Sequence, residues 1–185
     1  MIFQFKITLA ESQPEVWRKI IVPADYDFYQ FHMAIQGAFG WMNRHLFQFC
    51  ENDIMDTNGI GIPDDEYDTN IKDAHKVKIK TVFKKRGDRY VYIYDLGDDW
   101  LHTMVLEDIQ QIDAYGTFCL EGAGECPPED CGGIPSYKAL LQILNSPRHP
   151  EKQSYREWIG LEKNEKWNAK YFTLREVNKR MALLL

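Results

Sequence analysis

Between Tyr94 and Asp108 the sequence reads YDLGDDWLHTMVLED, gathering four aspartates, a glutamate, a tryptophan and a histidine around one glycine. A carboxylate beside an imidazole fixes the ring tautomer and raises its pKa, so such a pair serves proton transfer or holds a cation. Directly opposed residues of an antiparallel hairpin share a face. A turn with an even number of residues, the commonest kind, therefore sets Asp95 on the face of Trp100 and His102. An odd loop parts them. The same alternation places His102 between Trp100 and Met104, the setting of a core histidine, and both readings stand on the sequence alone.

Two other stretches carry candidate groups. In GWMNRHLFQF, Trp41 and His45 follow a helix stop at Gly40, with His45 in phase with Phe47 and Phe49. In CLEGAGECPPEDCGG, Cys119, Cys126 and Cys131 are spaced Cys-x6-Cys and Cys-x4-Cys, unlike the paired Cys-x2-Cys knuckles of zinc modules. The expectation is no resident cofactor; the alternative is a zinc ion on these three thiolates and a histidine. Pro127 and Pro128 stiffen this loop, and Gly132 and Gly133 permit positive φ, so Glu129 and Asp130 are presented in a defined direction. The chain has no dinucleotide-binding glycine loop, no Walker lysine, no H-E-x-x-H and no G-x-S-x-G.

These groups need a scaffold, and hydrophobic periodicity describes one. Phe3, Phe5, Ile7 and Leu9 alternate with Gln4, Lys6 and Thr8, the period of a half-buried strand. VWRKIIVP reads as its hairpin partner, ended by Pro23. In DFYQFHMAIQGAFG, Asp27 and Gln30 form a capping box, Phe28, Phe31, Ile35 and Phe39 form one stripe, and Gly40 ends the helix. HLFQFCE, RYVYIYD and DWLHTMVLE read as strands, VKIKTVF as strand or helical turn, and the rest of the chain after Glu107 as loop and then helices. Ser136 is placed as the cap of YKALLQILN, and Ser154 with Glu157 and Thr173 with Glu176 as capping boxes. Strands first and helices last predict an α+β fold, one domain over residues 1–185 with a helical tail at 159–185.

Composition narrows the function classes. The chain has 185 residues, 44% hydrophobic and 14% aromatic, enough for a packed core without disulfides. A net charge of −6 disfavours non-specific nucleic-acid binding, and KKRGDR at Lys84 to Arg89, the one dense basic run, reads as a solvated turn. No apolar run approaches the roughly 18 residues of a membrane span, and the start lacks a signal-peptide core. A cytoplasmic location with reduced cysteines is expected. The acidic stretch from Glu51 to Ala74 invites comparison with a calcium loop, with Gly59 at the sixth position and Asp56, Asn58 and Asp65 as ligands. Ile54 at the first position cannot ligate, so a surface loop is expected.

Taken in order, VWRKIIVPADYDFYQFHMAIQGAFGW with HLFQF, YIYDLGDDWLHTMVLE and CLEGAGECPPEDCGGIPSY resemble the plasmid pRiA4b ORF-3-like family, from Phe3 to about Trp158. Here YDLGD replaces the family's usual YDFGD. The resemblance implies an α+β domain associated with mobile elements, without an established catalytic role. The motif positions it marks are Trp41, His45, Asp95, Gly97, Asp98, Trp100, His102, Cys119, Pro127, Pro128, Glu129, Asp130 and Gly133.

The expected function is a binding module. Its cleft, for a small ligand or protein partner, is lined by Trp41, His45, Asp95, Asp98, Trp100, His102, Glu129 and Asp130. The alternative is a metal-dependent hydrolase using His45, His102 and nearby carboxylates.

Overall fold

The computed structural model describes residues 1–51, 59–63, 70–112 and 116–184. The chain opens with the hairpin of β1 (Ile2–Leu9) and β2 (Val16–Pro23), paired from Ile2↔Pro23 to Leu9↔Val16. Phe3, Phe5, Ile7 and Leu9 are buried on one face, as their alternation requires. Helix α1 (Phe28–Phe39) follows, with the Asp27–Gln30 capping box formed in both directions and Gly40 left-handed at its end. Its aromatic stripe meets the sheet, Phe31 lying 4.7 Å from Phe5 and Phe28 lying 4.9 Å from Phe49.

Next come β3 (Phe47–Cys50), β4 (Ile60–Gly61) and β5 (Lys72–Asp73), then a single turn, α2 (Ile79–Val82). The hairpin of β6 (Arg89–Tyr94) and β7 (Trp100–Gln110) leads to β8 (Phe118–Ala123). Helices α3 (Gly133–Asn145), α4 (Lys152–Trp158) and α5 (Leu174–Leu184) close the chain. The eight strands among the described residues form one sheet in the order β5-β4-β3-β6-β7-β1-β2-β8. Every pair is antiparallel except β4 with β5. One hydrophobic core joins the inner face of this sheet to α1, Tyr137 and Leu140 of α3, and Val177 and Met181 of α5. The architecture is α+β, with α5 packed against α1 and against β8.

Arg18 connects this scaffold to the candidate site. Its guanidinium is buried and makes four bonds, all to carbonyls: Ala38 at 2.9 Å, Trp17 at 2.9 Å, Ala123 at 2.8 Å and Gly124 at 2.9 Å. Ala38 is in the last turn of α1, where carbonyls lack helical partners. One buried cation thereby ties the end of α1, and the Trp41–His45 segment after it, to the sheet edge.

Several local expectations need correction. VKIKTVF contains the helical turn α2, and β8, expected to be loop, is a strand whose Phe118 and Leu120 are exposed while Cys119 is buried. That exposure inverts the usual apolar-in alternation, which hid the strand. Ser136 lies inside α3, whose N-cap is left-handed Gly132. Ser154 lies inside α4 and bonds back to the Glu151 carbonyl, the ordinary alternative for a serine within a helix. The Thr173 hydroxyl has no hydrogen-bond partner, and Glu176 accepts from the Tyr171 hydroxyl, so that capping box is not made. The basic run at Lys84 forms a turn around Asp88, which accepts from the backbone of Lys84 and Lys85. The calcium-loop positions Ile54, Asp56, Asn58 and Asp65 lie outside the described residues. Among those described, no helix is long and apolar enough to cross a membrane.

Candidate functional site

The β6–β7 connection decides which groups meet. Tyr94 pairs with Trp100 and Tyr92 with His102, leaving the five residues Asp95 to Asp99 as the loop. That number is odd, so the expected alignment of Asp95 with His102 is corrected. Asp95 and Asp99 take left-handed backbone at φ 57° and 54°, which turns the chain sharply and aims Asp95 off the hairpin face. His102 and Trp100 are instead fully buried. The His102 ring stands edge-on to Phe39 at 4.7 Å and to Trp41 at 5.2 Å. Neither of its ring nitrogens makes a hydrogen bond of good geometry, and burial, only partly offset by the nearby Tyr92 and Trp100 backbone, pushes its pKa down to about 3.

Asp95 meets His45 at the rim of the sheet. The imidazole Nε2 lies 2.8 Å from Asp130 Oδ1, 3.6 Å from Asp95 Oδ2 and 3.8 Å from Glu129 Oε2. These side chains are 30% (His45), 54% (Asp130), 13% (Asp95) and 10% (Glu129) exposed, so the cluster grades from a buried floor to an open mouth. The approach of Asp130 is off the line a ring N–H would take, and Nε2 has no hydrogen-bond partner. No lysine or arginine among the described residues lies within 4.0 Å of the carboxylates of Asp95, Glu129 or Asp130.

Backbone and hydroxyl donors hold these carboxylates in place. Asp95 Oδ1 accepts from Gly97 N–H at 3.0 Å and from Asp98 N–H at 3.3 Å. Glu129 Oε1 accepts from Met42 N–H at 2.7 Å and from the Tyr94 hydroxyl at 3.1 Å. Burial raises the Tyr94 pKa, which keeps that hydroxyl a donor, and it accepts in turn from Arg44 N–H. Asp98 Oδ2 accepts from Gly132 N–H at 2.8 Å, and Trp41 Nε1 donates to the Pro127 carbonyl at 3.2 Å. The first bond draws the Pro127–Gly133 loop onto the hairpin turn, and the second ties it to the segment that follows α1. A Cβ at Gly133, whose φ is +73°, would meet the Asp98 carbonyl at 2.5 Å, so the approach requires glycine there.

A second polar group, missed in the sequence, supports the first from beneath. Gln36 Nε2 donates to the Tyr92 hydroxyl at 2.9 Å, and that hydroxyl lies 2.9 Å from His32 Nδ1. His32 Nε2 lies 2.8 Å from Asn43 Oδ1, and Asn43 N–H donates back to Gln36 Oε1 at 2.8 Å. Asn43 Oδ1 only accepts, so Nε2 carries the proton and Nδ1 accepts from Tyr92. The ring of bonds closes and fixes left-handed Asn43 two residues before His45. Burial pushes the His32 pKa down to about 4, which keeps the neutral form the network needs. Spacing gave no signal for it, since His32 sits on a helix like any core residue.

Of the residues expected in one cleft, His45, Asp95, Glu129 and Asp130 come together, and Trp41 and Asp98 brace the loops around them. Trp100 and His102 are in the core. Two surface depressions adjoin Asp130: about 380 Å³ with Trp41, Met42, Arg44 and Glu129, and about 480 Å³ with Cys131, Ser136, Tyr155 and Trp158. The thiols of Cys119, Cys126 and Cys131 do not gather into a set of ligands. Among the described residues the one triad close enough to share an ion is His45, Asp95 and Asp130, with donor atoms within 4.8 Å of one another. Burial holds the Cys126 pKa well above the ordinary thiol value and pushes Cys131 up to about 12.

The family model described as plasmid pRiA4b ORF-3-like protein matches residues 1–176. A Sinorhizobium fredii protein, uncharacterized protein y4hQ, is 33% identical over 161 residues, which is 86% of this chain and 81% of that protein. The crystal structure of the protein of unknown function MM3350 from Methanosarcina mazei Go1 superposes with a TM-score of 0.79 at 27% identity. That alignment covers 95% of this chain and 96% of the other.

Proposed function

The chain belongs to the plasmid pRiA4b ORF-3-like family, and from that premise we propose that it is a binding module whose site is the junction of its three motif segments. The observation that carries this reading is electrostatic. Asp95 from the hairpin turn and the adjacent Glu129 and Asp130 from the proline loop converge on one imidazole nitrogen, with no lysine or arginine nitrogen among the described residues within 4.0 Å of their carboxylates. Holding like charges together in a partly buried place costs free energy unless something compensates. Backbone donors compensate the inner oxygens of Asp95 and Glu129, and the outer ones face His45 and the mouth. The ligand is therefore cationic, or presents a cation. Met42, Leu46 and Leu96 remain exposed on the adjoining segments and supply an apolar rim for its remainder.

The hydrolase alternative keeps His45 and the carboxylates and loses His102, whose ring is enclosed by Phe39, Trp41 and Tyr92. One histidine leaves binding as the reading the geometry supports best.

A thermal-shift screen of the full chain against three cation classes tests the proposal: divalent metal salts, spermidine, and short peptides with lysine or arginine between apolar residues. At one hundred times Kd a ligand of the folded state stabilises it by about 2.7 kcal/mol, several degrees in Tm for a chain this size. At least one class is expected to do this, and the gain should vanish in the Asp95→Asn/Glu129→Gln double variant. No shift from any class, or shifts the double variant retains, would overturn the reading.

A further inference from the structure

We propose that the cation is a divalent transition-metal ion of the Mn²⁺–Zn²⁺ kind, held by His45 Nε2 and one oxygen each of Asp95 and Asp130, with Glu129 beside them as a further carboxylate. The inference rests on the binding-module reading and names the ligand of the same site.

Distances carry the first part of the argument. Metal–ligand bonds of about 2.1 Å place adjacent donors roughly 3.0 Å apart in an octahedral shell and roughly 3.4 Å apart in a tetrahedral one, with opposed donors near 4.2 Å. The separations from Nε2 to the three carboxylates, 2.8, 3.6 and 3.8 Å, fall near or within that span. All donors of the triad lie within 4.8 Å of one another. Ion-paired side chains at a surface usually meet one to one. Here three carboxylates surround one nitrogen.

The state of that nitrogen is the second and independent observation. His45 Nε2 is shut off from solvent and has no hydrogen-bond partner, although a carboxylate oxygen is 2.8 Å away. A ring N–H built to serve an ion pair would point along that line. An imidazole nitrogen set among several carboxylates without a hydrogen bond to any of them is the arrangement of a ring placed to ligate an ion.

Donor chemistry selects the class of ion. Calcium takes six to eight oxygens and magnesium retains its waters, whereas an imidazole favours the later divalent ions and carboxylates suit manganese. A mixed set of one nitrogen and two or three oxygens fits Mn²⁺, Fe²⁺ or Zn²⁺. The surrounding bonds match the order seen at metal centres, where the ligands are themselves held. Gly97 and Asp98 N–H hold Asp95, Met42 N–H and Tyr94 hold Glu129, and the His32–Asn43 network fixes the turn that carries His45. The exposed Asp130 leaves one side of the shell open to exchange.

The test is isothermal titration of the full chain, stripped with a chelator, using MnCl₂ and separately ZnCl₂. One equivalent of either ion is expected to bind and to raise Tm. His45→Ala and Asp130→Asn should each weaken binding at least tenfold; Asp130 is exposed, so its variant keeps the fold. A spectroscopic arm follows bound Mn²⁺ by electron paramagnetic resonance, whose signal should revert to that of the aqueous ion in both variants. No binding of either ion, or binding unchanged in both variants, would overturn the assignment. If metals fail while spermidine or a basic peptide binds in an Asp95- and Glu129-dependent way, the metal inference falls and the binding module stands.

Discussion

Two polar groups lie a few residues apart in this molecule, and they are built on opposite plans. In the inner one, His32, Gln36, Tyr92 and Asn43 close a ring of hydrogen bonds in which both imidazole nitrogens have partners. In the outer one, His45 faces Asp95, Glu129 and Asp130 with its Nε2 unpartnered. A buried polar network with every member satisfied specifies one structure and is costly to breach. A rim cluster left short of partners contributes little to the fold and reserves its donors for something else. Backbone conformation differs as well: Asp95 and Asp130 at the rim have φ of 57° and 58°, whereas His32, Gln36 and Tyr92 lie in regular helix and strand and only Asn43 of the inner ring, at 52°, is left-handed. On this difference rests the proposal that the inner group serves the structure and the outer group the function.

Acid should break the inner plan first, and this is the largest effect expected. His32 and His102 have folded-state pKa values of about 4 and about 3, below the ordinary value of 6.5 that the unfolded chain recovers. The unfolded state therefore binds more protons, and stability rises with pH through this window. The contribution is complete above about pH 6.5 and is lost as pH falls towards 4. Every tenfold loss of proton affinity on folding corresponds to about 1.4 kcal/mol, so the two histidines together account for several kcal/mol. Urea unfolding at pH 7, 5.5 and 4.5 should show the decline. A flat profile between 7 and 5 would remove the distinction between buried and rim histidines.

Substitution at His32 comes next in size. His32→Leu leaves the Tyr92 hydroxyl and the Asn43 carbonyl without their partner, at about 1–3 kcal/mol for each buried group stranded. A loss near 3 kcal/mol at pH 7 is expected in equilibrium unfolding, together with weaker cation binding because Asn43 no longer fixes the turn before His45. A loss under 1 kcal/mol would mean that the closed ring is not what stabilises this region.

His102 sharpens the comparison by reversing the sign. Its ring is buried against Phe39, Trp41 and Tyr92 with neither nitrogen in a hydrogen bond of good geometry. Removing a polar group that has no partner relieves a desolvation cost, and Leu nearly fills the volume. His102→Leu should leave stability at pH 7 unchanged or raise it by about 1 kcal/mol, and should flatten the acid limb of the profile. Destabilisation comparable to His32→Leu would show that His102 has a polar role at this position.

These contrasts also explain how much the sequence disclosed. The β1–β2 hairpin, the Asp27–Gln30 cap of α1 and the β6–β7 pair were legible because period-2 alternation and capping chemistry are local. The α+β class followed from element order. The convergence of His45, Asp95, Glu129 and Asp130 was legible as a set of residues, yet their partnership was assigned to the wrong histidine. A five-residue loop and a two-residue turn differ in parity, and left-handed aspartates that make the odd loop have no distinctive pattern. The His32 network was illegible for another reason: its bonds join α1, β6 and the Asn43 turn, and only the tertiary fold brings those together. Helix starts at Ser136 and Ser154 were misplaced because a serine serves equally as a cap or as an internal side chain, whereas α5 does start after Thr173, without the side-chain bonds of a capping box.

The smallest stability effect, and the most direct separation of the two plans, is expected at Asp130. Its backbone sits at φ 58°, where a side chain is strained and glycine is not. Its carboxylate is the closest to His45 Nε2, at 2.8 Å, yet more than half exposed, so its pairing contributes little to the fold. Asp130→Gly removes strain, adds freedom to the unfolded chain, and deletes a contact screened by water. These contributions oppose one another, and the net change should stay within about 1 kcal/mol of zero. Cation binding has no such cancellation, because glycine has no side-chain oxygen to offer. The variant should unfold in urea at nearly the wild-type midpoint and bind Mn²⁺ at least tenfold more weakly. Were stability to fall by more than 2 kcal/mol, Asp130 would belong with the inner network as a structural residue. Were both stability and binding to stay at wild-type values, the rim cluster would be an ordinary acidic surface.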